Sequence, residues 1–343
     1  MLAKGFFEQA EQFRNSTEYN RAIESYKKAL KSFRKESDIP GILNCFIALG
    51  DTFRAKGDFT KAMSDYTEAL NLAEALDDMS SKADALVGLG LSSRALGDWR
   101  DALLMINRAG RLYRKLNDRQ GEAFSVWARA GTYRIKGDIK KAVKLFQSAL
   151  ERFRALKNRS GIAYSYCGLG GSSRVARRFR DSEKYYRMAN RMFRKLDDRF
   201  GLAYSFCGLG NARRMHGDYK NALLYFNKAE VLYKKIGDRV SYAYTLWSIG
   251  TTFKMQGKLL KALESFKESA EFFRQTKDPR GKIYCVLGVG EVDCLSGKRK
   301  TAKTKFLKAA GLAGNYGFNL EKKYAQGLLK ASVHAKGLPL NLP

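Results

Sequence analysis

Small and apolar residues return along this chain at a fixed interval of 40. Shifting the sequence by 40 brings Leu49-Gly50 onto Leu89-Gly90, Leu169-Gly170, Leu209-Gly210, Ile249-Gly250 and Val289-Gly290 without an insertion. A period of this length is the signature of stacked supersecondary units rather than of separate domains. Eight units begin at residues 3, 43, 83, 123, 163, 203, 243 and 283, and the last ends at 322. The eighth place of each unit is small (Ala10, Gly50, Gly90, Ala130, Gly170, Gly210, Gly250, Gly290), as required where two helix backbones approach closely. Seven residues on, six copies carry Gly (Gly57, Gly97, Gly137, Gly217, Gly257, Gly297), a residue that leaves a helix through the left-handed conformation. A second helix follows, with Ala22, Ala62, Ala102, Ala142, Ser182, Ala222, Ala262 and Ala302 in one column. Four residues later stands a large knob such as Tyr26, Ile106, Phe226 or Phe306, and three later again a small residue. Spacings of four and three put these columns on one face, a helix-packing seam.

Between units, a short loop carries Asp38, Asp78, Asp118, Asn158, Asp198, Asp238 and Asp278. These side chains are placed to accept from the free N–H groups of the next helix, a simpler role than metal binding or catalysis. From about Glu321 to His334 a further helix is expected to cover the apolar face of the last unit. Residues 323–343 then comprise this capping helix and a short basic, Pro-containing tail, whose Gly-Leu-Pro-Leu-Asn-Leu-Pro cannot continue a helix.

Leu-Gly in the first helix, Gly at the turn, and Ala, aromatic and Ala in the second resemble the tetratricopeptide repeat (TPR) over nearly the whole chain. Asn117-Asp-Arg-Gln-Gly-Glu-Ala, Asp197-Asp-Arg-Phe-Gly-Leu-Ala and Gly237-Asp-Arg-Val-Ser-Tyr-Ala are similar to the 40-residue subclass of Partner-of-Inscuteable-type adaptors and bacterial TPR regulators. Gly208-Leu209-Gly210-Asn211 keeps part of the groove motif of those adaptors, which marks Asn211 as a groove residue. The resemblance implies an all-α, right-handed α-solenoid (superhelix), with first helices lining a concave groove that clasps extended peptides. It also implies that the residue four after the small column points into that groove. Here that residue is Arg14, Arg54, Arg94, Arg134, Arg174, Arg214, Lys254 and finally Cys294.

Two readings of this ladder stand side by side. Its guanidinium groups could grip carboxylates or phosphates with paired N–H donors. Alternatively each pairs with an acid one turn later, as in Arg54–Asp58, Arg94–Asp98, Arg134–Asp138 and Arg214–Asp218. Arg174 and Lys254, followed by Arg178 and Lys258, fit only the first reading. Phe124, Tyr164, Tyr204 and Tyr244, with Trp127 and Trp247, interleave with the rungs. Such rings suit peptides, stacked single-stranded bases, or packing between repeats.

Charge sharpens the picture: 64 Lys and Arg against 34 Asp and Glu give a net +30, so an anionic partner is expected. Residues 297–336 hold ten basic residues, from Lys298 to Lys336, and one acid, Glu321. An acidic protein segment held by a scaffold or adaptor is the leading reading. RNA or single-stranded nucleic acid is the alternative, and contact with an anionic membrane or assembly a third. Catalysis is not expected: His216 and His334 are far apart, the five cysteines lack metal spacing, and no phosphate loop exists. No metal or cofactor is therefore assigned, and oligomeric state is open. The odd, unpaired cysteines and the lack of a signal-like apolar run point to a cytoplasmic protein.

Overall fold

The computed structural model describes residues 2–334 and 337–343, except for the side chains of Val333 and His334. Lys336 of the basic stretch and the His334 side chain lie outside these described residues. Seventeen α-helices and no strand form among them: α1 (Leu2–Asn15), α2 (Tyr19–Lys35), α3 (Ile39–Lys56), α4 (Phe59–Ala75), α5 (Met79–Ala95), α6 (Trp99–Lys115), α7 (Arg119–Lys136) and α8 (Ile139–Ala155). There follow α9 (Arg159–Val175), α10 (Phe179–Leu196), α11 (Arg199–Met215), α12 (Tyr219–Ile236), α13 (Arg239–Met255), α14 (Leu259–Gln275), α15 (Pro279–Leu295), α16 (Arg299–Tyr316) and α17 (Asn319–His334). The fold is the expected all-α solenoid of helix-turn-helix repeats, with odd-numbered helices first and even-numbered helices second in each repeat.

Both kinds of turn solve the same problem in the same way. Gly57 takes φ 83°, its N–H reaching the Arg54 carbonyl at 3.1 Å while Asp58 N–H reaches that of Phe53 at 2.9 Å. These two bonds satisfy carbonyls left free at the helix end. The next residue then caps the following helix: Asp58, Asp98, Asp138 and Asp218 accept from backbone N–H groups at the starts of α4, α6, α8 and α12. Between repeats Asp38, Asp78, Asp118, Asn158, Asp198 and Asp278 do the same for α3, α5, α7, α9, α11 and α15.

The chain forms two compact units, Met1–Thr132 with Ile236–Asp238, and Tyr133–Lys235 with Arg239–Pro343. In the first, Tyr26 and Tyr66 are buried among Ala10, Ala22, Ala48, Leu49 and Ala62, and α3 touches α5. In the second, α9 touches α11, α11 touches α13, α13 touches α15 and α15 touches α17. First helices thus form one continuous layer in that unit, and the side chains they present along it are the candidate site. At its C-terminal end α17 buries Ala325 and Leu328, and its fully buried Glu321 pairs with Arg280 at 2.6 Å.

Candidate peptide-binding ladder

Each rung occupies the last turn of a first helix, three residues before the left-handed turn residue. Among the described residues the rungs Arg54 and Arg214 do not pair forward with Asp58 and Asp218, whose carboxylates cap α4 and α12 and pair with Lys61 and Arg213. The rungs reach instead to the position three residues back in their own helix, or to its equivalent in the next repeat, 37 residues ahead. That column reads Glu11, Asp51, Leu91, Gly131, Gly171, Asn211, Thr251 and Glu291.

Its composition decides what each rung meets. Arg14 lies 2.6 Å from Glu11 and 3.5 Å from Asp51, and Arg54 lies 3.0 Å from Asp51 and 3.2 Å from the Tyr66 hydroxyl. Arg94 lies over Gly131 and donates to the Ala128 carbonyl at 3.3 Å. Arg134 lies over Gly171, where a Cβ would stand 2.5 Å from its Nη1, and it hydrogen-bonds Tyr204. The Nε of Arg174 is buried without a partner. At the far end Lys254 is ion-paired with Glu291, both almost fully buried.

Arg214 is the most unusual rung, fully buried with no carboxylate partner among the described residues. Its Nη2 donates to Asn211 Oδ1 at 3.0 Å, so Asn211 positions the guanidinium, and its plane lies 5.9 Å from the Trp247 ring. Burial, reinforced by the neighbouring Arg174 charge, pulls Arg214 down to about 9. It remains charged at neutral pH, in surroundings short of negative charge.

Residues 340–342 of the C-terminal tail sit on these groups. Leu340 N–H donates to Glu291 Oε1 at 2.7 Å, and its carbonyl accepts from Lys254 Nζ at 2.9 Å. Arg214 donates to the Leu342 carbonyl at 2.8 Å and also to Asn341 Oδ1, while Asn341 Nδ2 donates to the Arg214 carbonyl at 2.9 Å.

The aromatic residues have protein partners. Phe124 stacks on Trp127 at 5.7 Å, Tyr164 packs edge-on to Phe193 and donates to Asp198 at 2.8 Å, and Tyr204 stacks on Phe200. Tyr244 packs on Phe273, and Trp247 Nε1 donates to the Tyr284 carbonyl at 3.1 Å. In these contacts Phe124 and Tyr204 stack within their own helix, Tyr164 and Tyr244 pack within their own repeat, and Trp247 reaches the next repeat.

Glu291 and the tail residues Leu340, Asn341 and Leu342 were not singled out from sequence. Glu291 did leave a signal, as one of three acids in the column 37 residues beyond the rungs. The tail left none beyond its inability to be helical.

Among the described residues no group of three or more His, Cys, Asp or Glu could hold a metal ion, and no helix is long and apolar enough to cross a membrane. All five cysteines are free, and burial pushes the Cys45 and Cys285 thiols up to about 12, which suppresses thiolate formation.

The tetratricopeptide-repeat family model matches residues 43–76. No protein of curated function matches the sequence. Among solved structures, the Rap conjugation gene regulator of plasmid pLS20, in complex with the Phr* peptide, is similar at 13% identity. The match covers 98% of both chains with a TM-score of 0.67. A Rap protein complexed with Competence and Sporulation Factor is similar at 12% identity over 97% of this chain and 98% of that one, with a TM-score of 0.63. A signal-transduction ATPase with a tetratricopeptide repeat sensor, from Pyrococcus horikoshii, matches 94% of this chain and 52% of its own at 17% identity and a TM-score of 0.53. The family-model match over residues 43–76 and the likeness to these structures show that the chain has the fold of tetratricopeptide-type repeats.

Proposed function

We propose that the protein is a non-catalytic scaffold whose second unit holds an extended, acidic segment of a partner protein along the ladder of first helices. One observation carries this reading: Arg134, Arg174 and Arg214 are successive rungs with no carboxylate partner among the described residues. Lys254, the next rung toward the C-terminus, is paired with Glu291, and Arg54, two rungs before Arg134, with Asp51. Guanidinium groups withdrawn from water without a counter-charge are costly, and ligand carboxylates at Arg134 and Arg174 would relieve that cost with charge-assisted hydrogen bonds, whereas Arg214 takes neutral acceptors such as those the tail offers. The Phr* peptide complex of the Rap conjugation gene regulator supports a peptide as the ligand class.

An array of immobilised extended peptides, with and without Asp and Glu, tests the proposal. The intact chain should retain acidic members. Substituting Arg134, Arg174 and Arg214 together by Glu should lower that retention at least tenfold, with helicity checked by circular dichroism. Equal retention by both proteins would sink the reading.

A further inference from the structure

The tail does more than fill space. Three of its bonds to the ladder, at Leu340 N–H, Leu340 carbonyl and Leu342 carbonyl, involve main-chain atoms that any extended peptide could offer. The fourth contact is specific. The Asn341 carboxamide accepts from Arg214 Nη1 through Oδ1 and donates to the Arg214 carbonyl through Nδ2. A carboxylate has no hydrogen to give that carbonyl, and an aliphatic side chain would leave both partners unmet, a loss much larger than the net worth of a satisfied bond. Leu342, 6% exposed, supplies an apolar anchor beside it.

The tail is an incomplete occupant. Arg214 keeps a buried Nε without a partner, and Arg174, one repeat further along, also has a buried, unmatched Nε. The chain crosses α15, α13 and α11 in that order, so a ligand running the same way and continuing past the position of Leu342 would meet Arg174 and then Arg134. We propose that Arg214, Lys254 and Glu291 form a peptide site selective for an asparagine flanked by leucines. The tail is its tethered occupant, and a partner segment of the same chemistry enters by displacing it. This inference rests on the peptide-holding reading and specifies its ligand. A short tether gives a cis segment an effective concentration on the order of millimolar, so displacement requires contacts the tail does not make. Carboxylates meeting Arg174 and Arg134 would supply them.

The test uses a fluorescent peptide of sequence Gly-Leu-Pro-Leu-Asn-Leu-Pro and two full-length proteins, the parent and a variant with Asn341→Ala and Leu342→Ser. Both substitutions leave Arg214, Lys254 and Glu291 unchanged. Fluorescence anisotropy should show the variant binding the peptide at least tenfold more tightly than the parent. Peptides carrying Leu or Asp in place of Asn should each bind the variant at least tenfold more weakly. Equal binding by the two proteins, or an Asp peptide as tight as the Asn peptide, overturns the proposal. If acidic segments are retained on the array while this peptide binds neither protein, the inference falls and the scaffold reading stands. If neither assay detects binding, both fall.

Discussion

Lys254 and Glu291 show at residue scale why a basic rung cannot be judged by its charge alone. Both are withdrawn from water, and burial lowers the Lys254 pKa, aided by the Arg214 charge and opposed by Glu291. Desolvating two ions offsets most of their attraction, so the pair adds little net stability, but removing one partner strands the other. Lys254→Met should therefore destabilise the fold by about 3–5 kcal/mol. Adding Glu291→Leu to it should recover most of that loss in a denaturant titration. If the single variant were as stable as the parent, the buried pair would not be as the structure has it.

At the scale of elements, helices approach through glycines that face aromatic rings. A Cβ on Gly201 would lie 2.2 Å from the Phe193 ring, and one on Gly208 would lie 2.2 Å from that of Tyr186. The first helix of one repeat thus rests its backbone on the knob of the preceding second helix. Gly201→Ala should cost about 1–3 kcal/mol, because the buried ring has little room to move. Gly311, in the exposed interior of α16, has open space around its Cβ direction. Alanine there should add about 0.5–1 kcal/mol by restricting the unfolded chain and favouring helix. Thermal melts of the two variants should shift in opposite directions.

At the scale of the whole molecule, each repeat depends on a neighbour, and α17 is the neighbour of the last one. Removing residues 319–343 would uncover the apolar seam of α15 and α16 and deprive Arg280 of Glu321, its partner at 2.6 Å. The loss of helical circular dichroism should exceed the contribution of the 16 residues of α17, and the truncated protein should associate on size-exclusion chromatography. A loss limited to α17, with a monomer unchanged, would show that α16 needs no cover.

The sequence by itself determined the repeat. Helix positions, the left-handed residues such as Gly57, the Asp caps and the small–aromatic–small seam all follow from spacings of a few residues, and local chemistry enforces them at every copy. The ladder was legible as a column, and its partners were not. Helical periodicity suggested Arg54 with Asp58 and Arg214 with Asp218, but those aspartates cap the next helix and pair with Lys61 and Arg213 instead. Only tertiary structure could set a rung against a residue 37 places ahead, since that distance depends on how one repeat stacks on the next. It alone could bring Asn341 to Arg214 across 127 residues, since no local pattern records where a non-helical tail will find its hydrogen-bond partners.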